Sequence, residues 1–174
     1  MLLIQLTGLS GSGKTTLANG VQQWLQCRDR RLEVIDGDAY RGRPGWNLGF
    51  SKEDRCENIR RLGAAAHAYV LQGIPAIISA INPYASVRDE LRARYGAVTV
   101  YVSCALPVLV TRDTKGLYRR AMLPAGHPER VDRFTGVSDP YEVPLDADLV
   151  LHTDLEDPGD SITKLGAYCL GLLP

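Results

Sequence analysis

An apolar run, Leu2–Thr7, passes straight into Gly8-Leu9-Ser10-Gly11-Ser12-Gly13-Lys14-Thr15, and a helical pattern over Lys14–Gln26 follows at once. The eight residues fit the spacing GxxxxGK[ST], in the strand–loop–helix setting that gives this pattern its meaning. Glycines let a backbone wrap with its N–H groups turned inward. The helix N-terminus adds a partial positive charge. A loop of this kind holds phosphates. Lys14 is placed to reach the β- and γ-phosphates, and the Thr15 hydroxyl to ligate Mg²⁺. Gly8, Ser10, Gly11, Ser12, Gly13 and Thr16 complete the expected nucleotide loop. Chance produces this spacing in under about 1% of chains of this length. A dinucleotide fingerprint is excluded, because the third glycine is missing and Lys14 is out of place for it. The loop defines a nucleoside-triphosphate-using enzyme or switch.

The rest of the chain alternates strand and helix patterns. Strands are expected at Leu32–Asp36, Ala76–Ser79, Val98–Ser103 and Leu149–His152. Helices are expected from Ser51, over Val87–Tyr95, over Pro107–Arg120 and over Ser161–Leu172. Ser51 and Asp54 have capping-box spacing, Gly73 sits just past the helix end, and Ile59, Leu62, Ala66 and Val70 form its apolar face. This order implies an α/β fold of three layers, a P-loop NTPase fold with a parallel sheet of about five strands and helices on both faces. Residues 122–145 show no periodicity and carry many Pro, Gly and Arg. A connection this long reads as a functional lid, approximately 119–145, on a single P-loop domain spanning 1–174.

Composition narrows the partners. The 174 residues carry 20 basic and 20 acidic side chains, a formal net charge of zero. A dedicated nucleic-acid or membrane-surface binder would show a basic excess. No apolar run approaches the about 20 residues of a membrane span, and the N-terminus has no signal-peptide pattern. Cys27, Cys56, Cys104 and Cys169 are widely spaced, so neither a zinc site nor a redox dithiol is suggested. Reduced, mostly buried thiols in a cytoplasmic protein are expected.

Past the second strand stands Asp36-Gly37-Asp38. In an open α/β sheet, ligands bind beyond the carboxyl ends of the strands. An acid there can hold Mg²⁺, the role suited to Asp36, or accept a proton from a substrate hydroxyl, the role suited to Asp38. A plain Asp-Gly-Asp turn is also open. Arg41, Phe50, Arg55 and Asn58 follow within 20 residues of Asp38. Arg55 and Asn58, three apart, share a helix face. Two arginines, an aromatic ring and an amide suit a pocket for an anion and a base, and a solvated face is the competing reading.

The stretches Gly8–Thr16, Asp36-Gly-Asp38 with Arg41, Leu48–Arg55 into Glu57–Arg61, Arg112–Tyr118, Phe134–Val137 and Pro140–Glu142 resemble the adenylylsulfate kinase family, in the family's order across nearly the whole chain. The resemblance implies transfer of the ATP γ-phosphate to the 3′-hydroxyl of adenosine 5′-phosphosulfate (APS), in sulfate assimilation. It implies that Asp38 faces that hydroxyl, and that Arg41, Arg55 and Asn58 hold the phosphosulfate and ribose. Phe50 and Phe134 would sandwich the adenine, with the Ile81 backbone close to it. Lys115 would approach the phosphates from the lid, and Arg112 would lie by the ATP adenine. Mg²⁺ with ATP and a homodimer are implied as well.

Four departures stand out. Asn82 occupies a position where the family usually has Ser, so no phosphoserine forms there, and direct transfer is expected. Arg43-Pro-Gly-Trp46 replaces a polar stretch; Trp46 is expected to pack under the lid or alter the acceptor pocket. The Tyr118–Phe134 segment is about five residues longer than the family pattern, with His127 in the surplus, where a solvated histidine is the expectation. The family's N-terminal extension has no counterpart before the first strand, which puts regulation in doubt. The alternative to an APS kinase is a related P-loop kinase acting on another small hydroxyl-bearing metabolite or nucleotide. A regulatory nucleotide-binding module is a third reading, disfavoured by the joint presence of Lys14, Thr15, Asp36 and Asp38.

Overall fold

The computed structural model describes residues 1–173. Five parallel strands form one sheet: β1 (Leu3–Thr7), β2 (Glu33–Asp36), β3 (Ala76–Ser79), β4 (Val98–Ser103) and β5 (Leu149–His152), in the spatial order β2-β3-β1-β4-β5. The helices are α1 (Lys14–Gln26), α2 (Gly37–Arg41), α3 (Lys52–Val70), α4 (Ala85–Tyr95), α5 (Leu106–Arg112), α6 (Leu117–Ala121) and α7 (Pro158–Leu172). The sequence expectation of a three-layer sheet sandwich holds.

Strand periodicity explains the layers. On β1 and just before it, Leu2, Ile4 and Leu6 join a core with Leu17, Val21 and Leu25 of α1 and Leu165 of α7. Leu3 faces the other way, into a core with Ile59, Leu62 and Ala66 of α3 and Leu91 of α4. Both faces are apolar because both are covered, as a parallel sheet requires. A wholly buried leucine such as Leu62 contributes about 2–3 kcal/mol. Gln5 shares the face of Leu3 yet is fully buried, so its amide must be satisfied, and the site below depends on how.

α3 begins as its sequence dictates. Ser51 Oγ accepts from the Asp54 N–H at 3.1 Å and donates to Asp54 Oδ2 at 3.0 Å, and Glu53 and Asp54 lie at the positive end of the helix. Gly73 takes φ +78° just beyond its end.

Two local expectations need correction, and one competing reading falls. The single helix expected over Pro107–Arg120 is two, α5 and α6. The Asp113 carboxylate accepts from the N–H groups of Tyr118 at 3.0 Å and Arg119 at 2.9 Å, and Gly116 is left-handed at φ +63°. A second helix start is thus capped inside the apparent run, and the break turns Lys115 out of line. The plain turn at Asp36–Asp38 is instead the start of α2: Asp36 Oδ1 accepts from Asp38 N–H at 2.9 Å and Ala39 N–H at 3.1 Å. α7 starts at Pro158, three residues before the expected Ser161, because Asp157 caps it.

Residues 122–145 contain one isolated bridge, Thr135 to Asp139, and are otherwise irregular. They are nonetheless anchored. Tyr118, Ala121 and Phe134 form a third apolar cluster with Leu109 and Cys104. Among the described residues no helix is long and apolar enough to cross a membrane. The four thiols are free, and all but Cys27 are buried.

Candidate active site

The carboxyl ends of β1, β2 and β3 open onto a cleft of about 540 Å³. Its walls come from six sources: the glycine loop, the β2–α2 junction, Phe50 with the start of α3, residues 79–83 at the end of β3, Thr114, Lys115 and Leu117 where α5 gives way to α6, and residues 131–135 of the long connection.

The loop takes its shape from its glycines. A Cβ on Gly8 would lie 2.4 Å from the Val102 carbonyl oxygen, and Gly13 has φ +93°. Lys14 is 8% exposed, and its ammonium donates to the Leu9 carbonyl at 2.7 Å and to Ser12 Oγ at 3.4 Å. Burial lowers its pKa to about 8; Asp38 partly opposes this, and Lys115 adds to it. A lysine so poor in counter-charge favours an incoming anion.

Thr15 Oγ1 donates to Asp36 Oδ2 at 2.8 Å and lies 3.2 Å from Ser79 Oγ. One Asp36 oxygen therefore caps α2 while the other reaches the loop. These hard oxygens beside a phosphate loop fit Mg²⁺, which binds through few protein ligands plus phosphate and water. Thr15 and Asp36 thus come together, as the sequence reading expects.

Lys115 Nζ donates to Asp38 Oδ2 at 2.6 Å, across 77 residues of sequence. Both side chains are largely exposed, so this ion pair is weak and exchangeable. It joins the expected hydroxyl-facing acid to the expected phosphate-facing lysine.

The remaining wall is more tightly built than the sequence suggests. Arg55, nearly buried, donates to the carbonyls of Phe50 and Arg133 and to Thr135 Oγ1, and pairs with Asp139 at 3.4 Å. It straps the long connection to α3. Arg41 donates to the carbonyls of Leu48 and Gly49 and stacks over Phe50 at 4.9 Å. Phe50 is 59% exposed, whereas Phe134 is buried edge-on against Tyr118. Asn58 Oδ1 accepts from the Trp46 indole at 2.7 Å. Of the two placements expected for Trp46, packing under the lid is not met, since it packs against Tyr40 and the α3 core, and its contact with Asn58 leaves the acceptor pocket as the place it touches.

Ser10, Gly11, Gly13, Lys14, Thr15, Thr16, Asp36, Asp38, Arg41, Phe50, Arg55, Asn58, Ile81, Lys115 and Phe134 all line the one cleft. Gly8 and Ser12 do not. They shape the loop from behind, the Gly8 N–H donating to the Ile81 carbonyl at 3.2 Å. Arg112 also lies outside the cleft, donating to the Thr153 carbonyl at 2.7 Å and to Cys104 Sγ. His127 accepts from the Glu129 N–H.

Sequence reasoning missed a buried polar network beneath the cleft. Gln5 donates to the Arg88 carbonyl and to Thr99 Oγ1, and accepts from Asn82 Nδ2, each bond at 2.9–3.0 Å. Arg88, 3% exposed, donates to the carbonyls of Asn82 at 2.8 Å and Glu142 at 2.7 Å. Thr7 Oγ1 sits 2.9 Å from Tyr141 Oη. Asn82 takes φ +46°, a conformation asparagine tolerates. The network fixes the Ile81–Pro83 wall and ties it to the far end of the long connection. A buried glutamine in an otherwise apolar strand was its only signal in the sequence.

A parallel sheet with a glycine loop at its switch point, a lysine and hard-oxygen pair on that loop, and an acid facing a second, anion-suited wall define a P-loop kinase. The comparisons go further. The family model for adenylylsulphate kinase matches residues 1–152. The adenylyl-sulfate kinase of Gloeothece citriformis is 45% identical over 163 residues, covering 93% of this chain and 90% of its own. That of Rippkaea orientalis is 46% identical over the same length, covering 93% and 87%. The solved structure of the Mycobacterium tuberculosis APS kinase CysC in complex with AMPPNP and APS superposes with a TM-score of 0.88 at 33% identity, covering 97% of each chain. The chain belongs to the adenylylsulphate kinase family.

Proposed function

We propose that this chain transfers the γ-phosphate of ATP to the 3′-hydroxyl of APS, giving 3′-phosphoadenosine 5′-phosphosulfate and ADP. The observation that carries the reading is one cleft lined both by Lys14 and Thr15 of the phosphate loop and by Asp38, Arg41, Phe50, Asn58 and Phe134 on the opposite wall. Similarity to APS kinases at 43–46% identity over 93% of the chain supports the acceptor.

Phosphoryl transfer passes through a loose transition state, so the protein's task is placement and charge neutralisation. Gly8–Thr16 wraps the phosphates, and Lys14 meets the β- and γ-oxygens. Thr15 and Asp36 would hold Mg²⁺, which neutralises phosphate charge when bound with ATP. Asp38 accepts the proton of the 3′-hydroxyl as its oxygen bonds to the γ-phosphorus and the bond to the ADP oxygen breaks. Lys115, paired with Asp38, moves to the transferring phosphoryl oxygens. Phe50 and Phe134 hold the acceptor's adenine beside the Ile81 backbone, while Arg41, Arg55 and Asn58 hold its phosphosulfate and ribose. Arg112, outside the cleft, takes the ATP adenine. Residues 119–145 act as a lid on a single kinase domain spanning 1–174, excluding water that would otherwise hydrolyse ATP. A homodimer completes the reading, on the strength of the family resemblance.

The test is ADP release by pure protein with Mg-ATP and a panel of hydroxyl acceptors. Turnover with APS alone supports the reading. Turnover with another acceptor and none with APS overturns it.

A further inference from the structure

The cleft contains a device that the phosphate loop and Asp38 leave unexplained. Asn58, on the first turns of α3, is 5% exposed and lines the acceptor wall. Its Oδ1 accepts from Trp46 Nε1 at 2.7 Å, and its Nδ2 donates to no protein atom among the described residues. An amide can usually be turned over, exchanging its oxygen for its nitrogen. Here it cannot, because an indole N–H only donates. The oxygen must face Trp46, and the two N–H donors must face the cleft.

Trp46 is itself held rigidly. Its ring meets Tyr40 edge-on at a centroid distance of 5.4 Å, and the Arg61 guanidinium lies over it at 5.8 Å. Arg61 Nη1 donates to the Trp46 carbonyl at 3.0 Å, and Glu57 holds Arg61 by an ion pair at 2.9 Å. The Arg43 guanidinium covers Tyr40 at 3.5 Å. Arg43-Pro44-Gly45-Trp46 therefore builds a stacked column ending on one side chain of the acceptor wall, and Trp46 does not line the cleft itself.

We propose that Trp46 is a specificity-determining positioning residue. It fixes the Asn58 amide so that this point of the wall offers only hydrogen-bond donors and selects acceptors that present an oxygen lone pair there, such as a phosphosulfate or ribose-ring oxygen. A group presenting only a donor is refused, because it would leave both partners unpaired. The inference rests on the acceptor reading given above.

Trp46→Phe keeps an aromatic ring and removes the N–H, freeing the amide to turn. KM for APS should rise about three- to tenfold, the scale of one hydrogen bond. The kcat and the KM for ATP should stay within about twofold, since Trp46 touches neither the loop nor Asp38. Trp46→Phe/Asn58→Ala should be no worse than Asn58→Ala alone. An unchanged KM for APS in Trp46→Phe, or additive effects in the double variant, overturns the proposal. Should Trp46→Phe fold poorly, the indole N–H resonance of Trp46 in Asn58→Ala decides: it should shift while that of Trp24 stays still, and an unmoved signal overturns the hydrogen bond. If the wild type prefers a different acceptor, the function fails separately, and the same variants measured with that acceptor still test Trp46.

Discussion

Lys14 offers the most quantitative test of the site. Its ammonium is buried and rests on a carbonyl and a hydroxyl, with no carboxylate in contact among the described residues. Desolvation leads in bringing its pKa down to about 8. Phosphate oxygens arriving on the loop would supply the missing counter-charge and return the group to about 10.4, its ordinary value. Nucleotide binding must then take up a proton. At pH 8.5 a group of pKa about 8 is roughly one-quarter protonated, so uptake is about 0.7 proton, against about 0.1 at pH 7. The same linkage weakens nucleotide affinity about tenfold between pH 7 and pH 9. Isothermal titration calorimetry with Mg²⁺ and a non-hydrolysable ATP analogue, in buffers of different ionisation enthalpy, reads uptake directly. Lys14→Arg, whose guanidinium does not titrate, should bind without it. Near-zero uptake by the wild type at pH 8.5 refutes the argument, whatever the variant does.

Three further outcomes follow from the same geometry. Asp38→Ala should lower kcat about 10²- to 10⁴-fold while ATP-analogue affinity changes little; an equal loss of that affinity would place Asp38 on the metal. Arg88→Met should cost about 2 kcal/mol in a denaturant melt, because the carbonyls of Asn82 and Glu142 lose a charged donor, and an unchanged melt would mean that water replaces it. Burial pushes the Tyr118 hydroxyl and the Cys169 thiol up to about 12, and pushes Tyr141 up as well. Each is an acid kept neutral in the fold, so its stabilisation is whole below its unfolded pKa and is lost as pH rises toward the folded one. Between about pH 11 and 12, where Lys14 is largely neutral folded or unfolded, stability should fall about 1 kcal/mol per pH unit for each such group. Chemical denaturation across that window measures the slope, and a flat profile would show these groups to be solvated.

The parts of the site that could be read from the sequence are those whose chemistry is local. Gly8–Thr15 declares itself because the loop, its strand and its helix are contiguous, and each residue type serves a backbone or charge requirement visible in place. The start of α3 is legible for the same reason, since Ser51 and Asp54 cap each other within one turn. Where long-range pairing decides, a single sequence gives little. The break between α5 and α6 depends on Asp113 reaching forward to two amides, and helix propensity alone reads straight through it.

Arg88 shows the limit most clearly. In the sequence it stands in a helix with charged neighbours at 89 and 90 and looks like part of a solvated face. In the fold it is buried, and among the described residues it has no carboxylate partner. Its charge is met by the carbonyls of Asn82 and Glu142, which reach it from segments 6 and 54 residues away. Those carbonyls are free to accept because residues 81–84, with Asn82 left-handed, and residue 142 run outside any helix or sheet ladder. The same bend carries Ile81 into the cleft. The wall against which an acceptor base would rest is thus set by a buried cation whose partners are backbone atoms, and residue identity says nothing about where backbone oxygens will point.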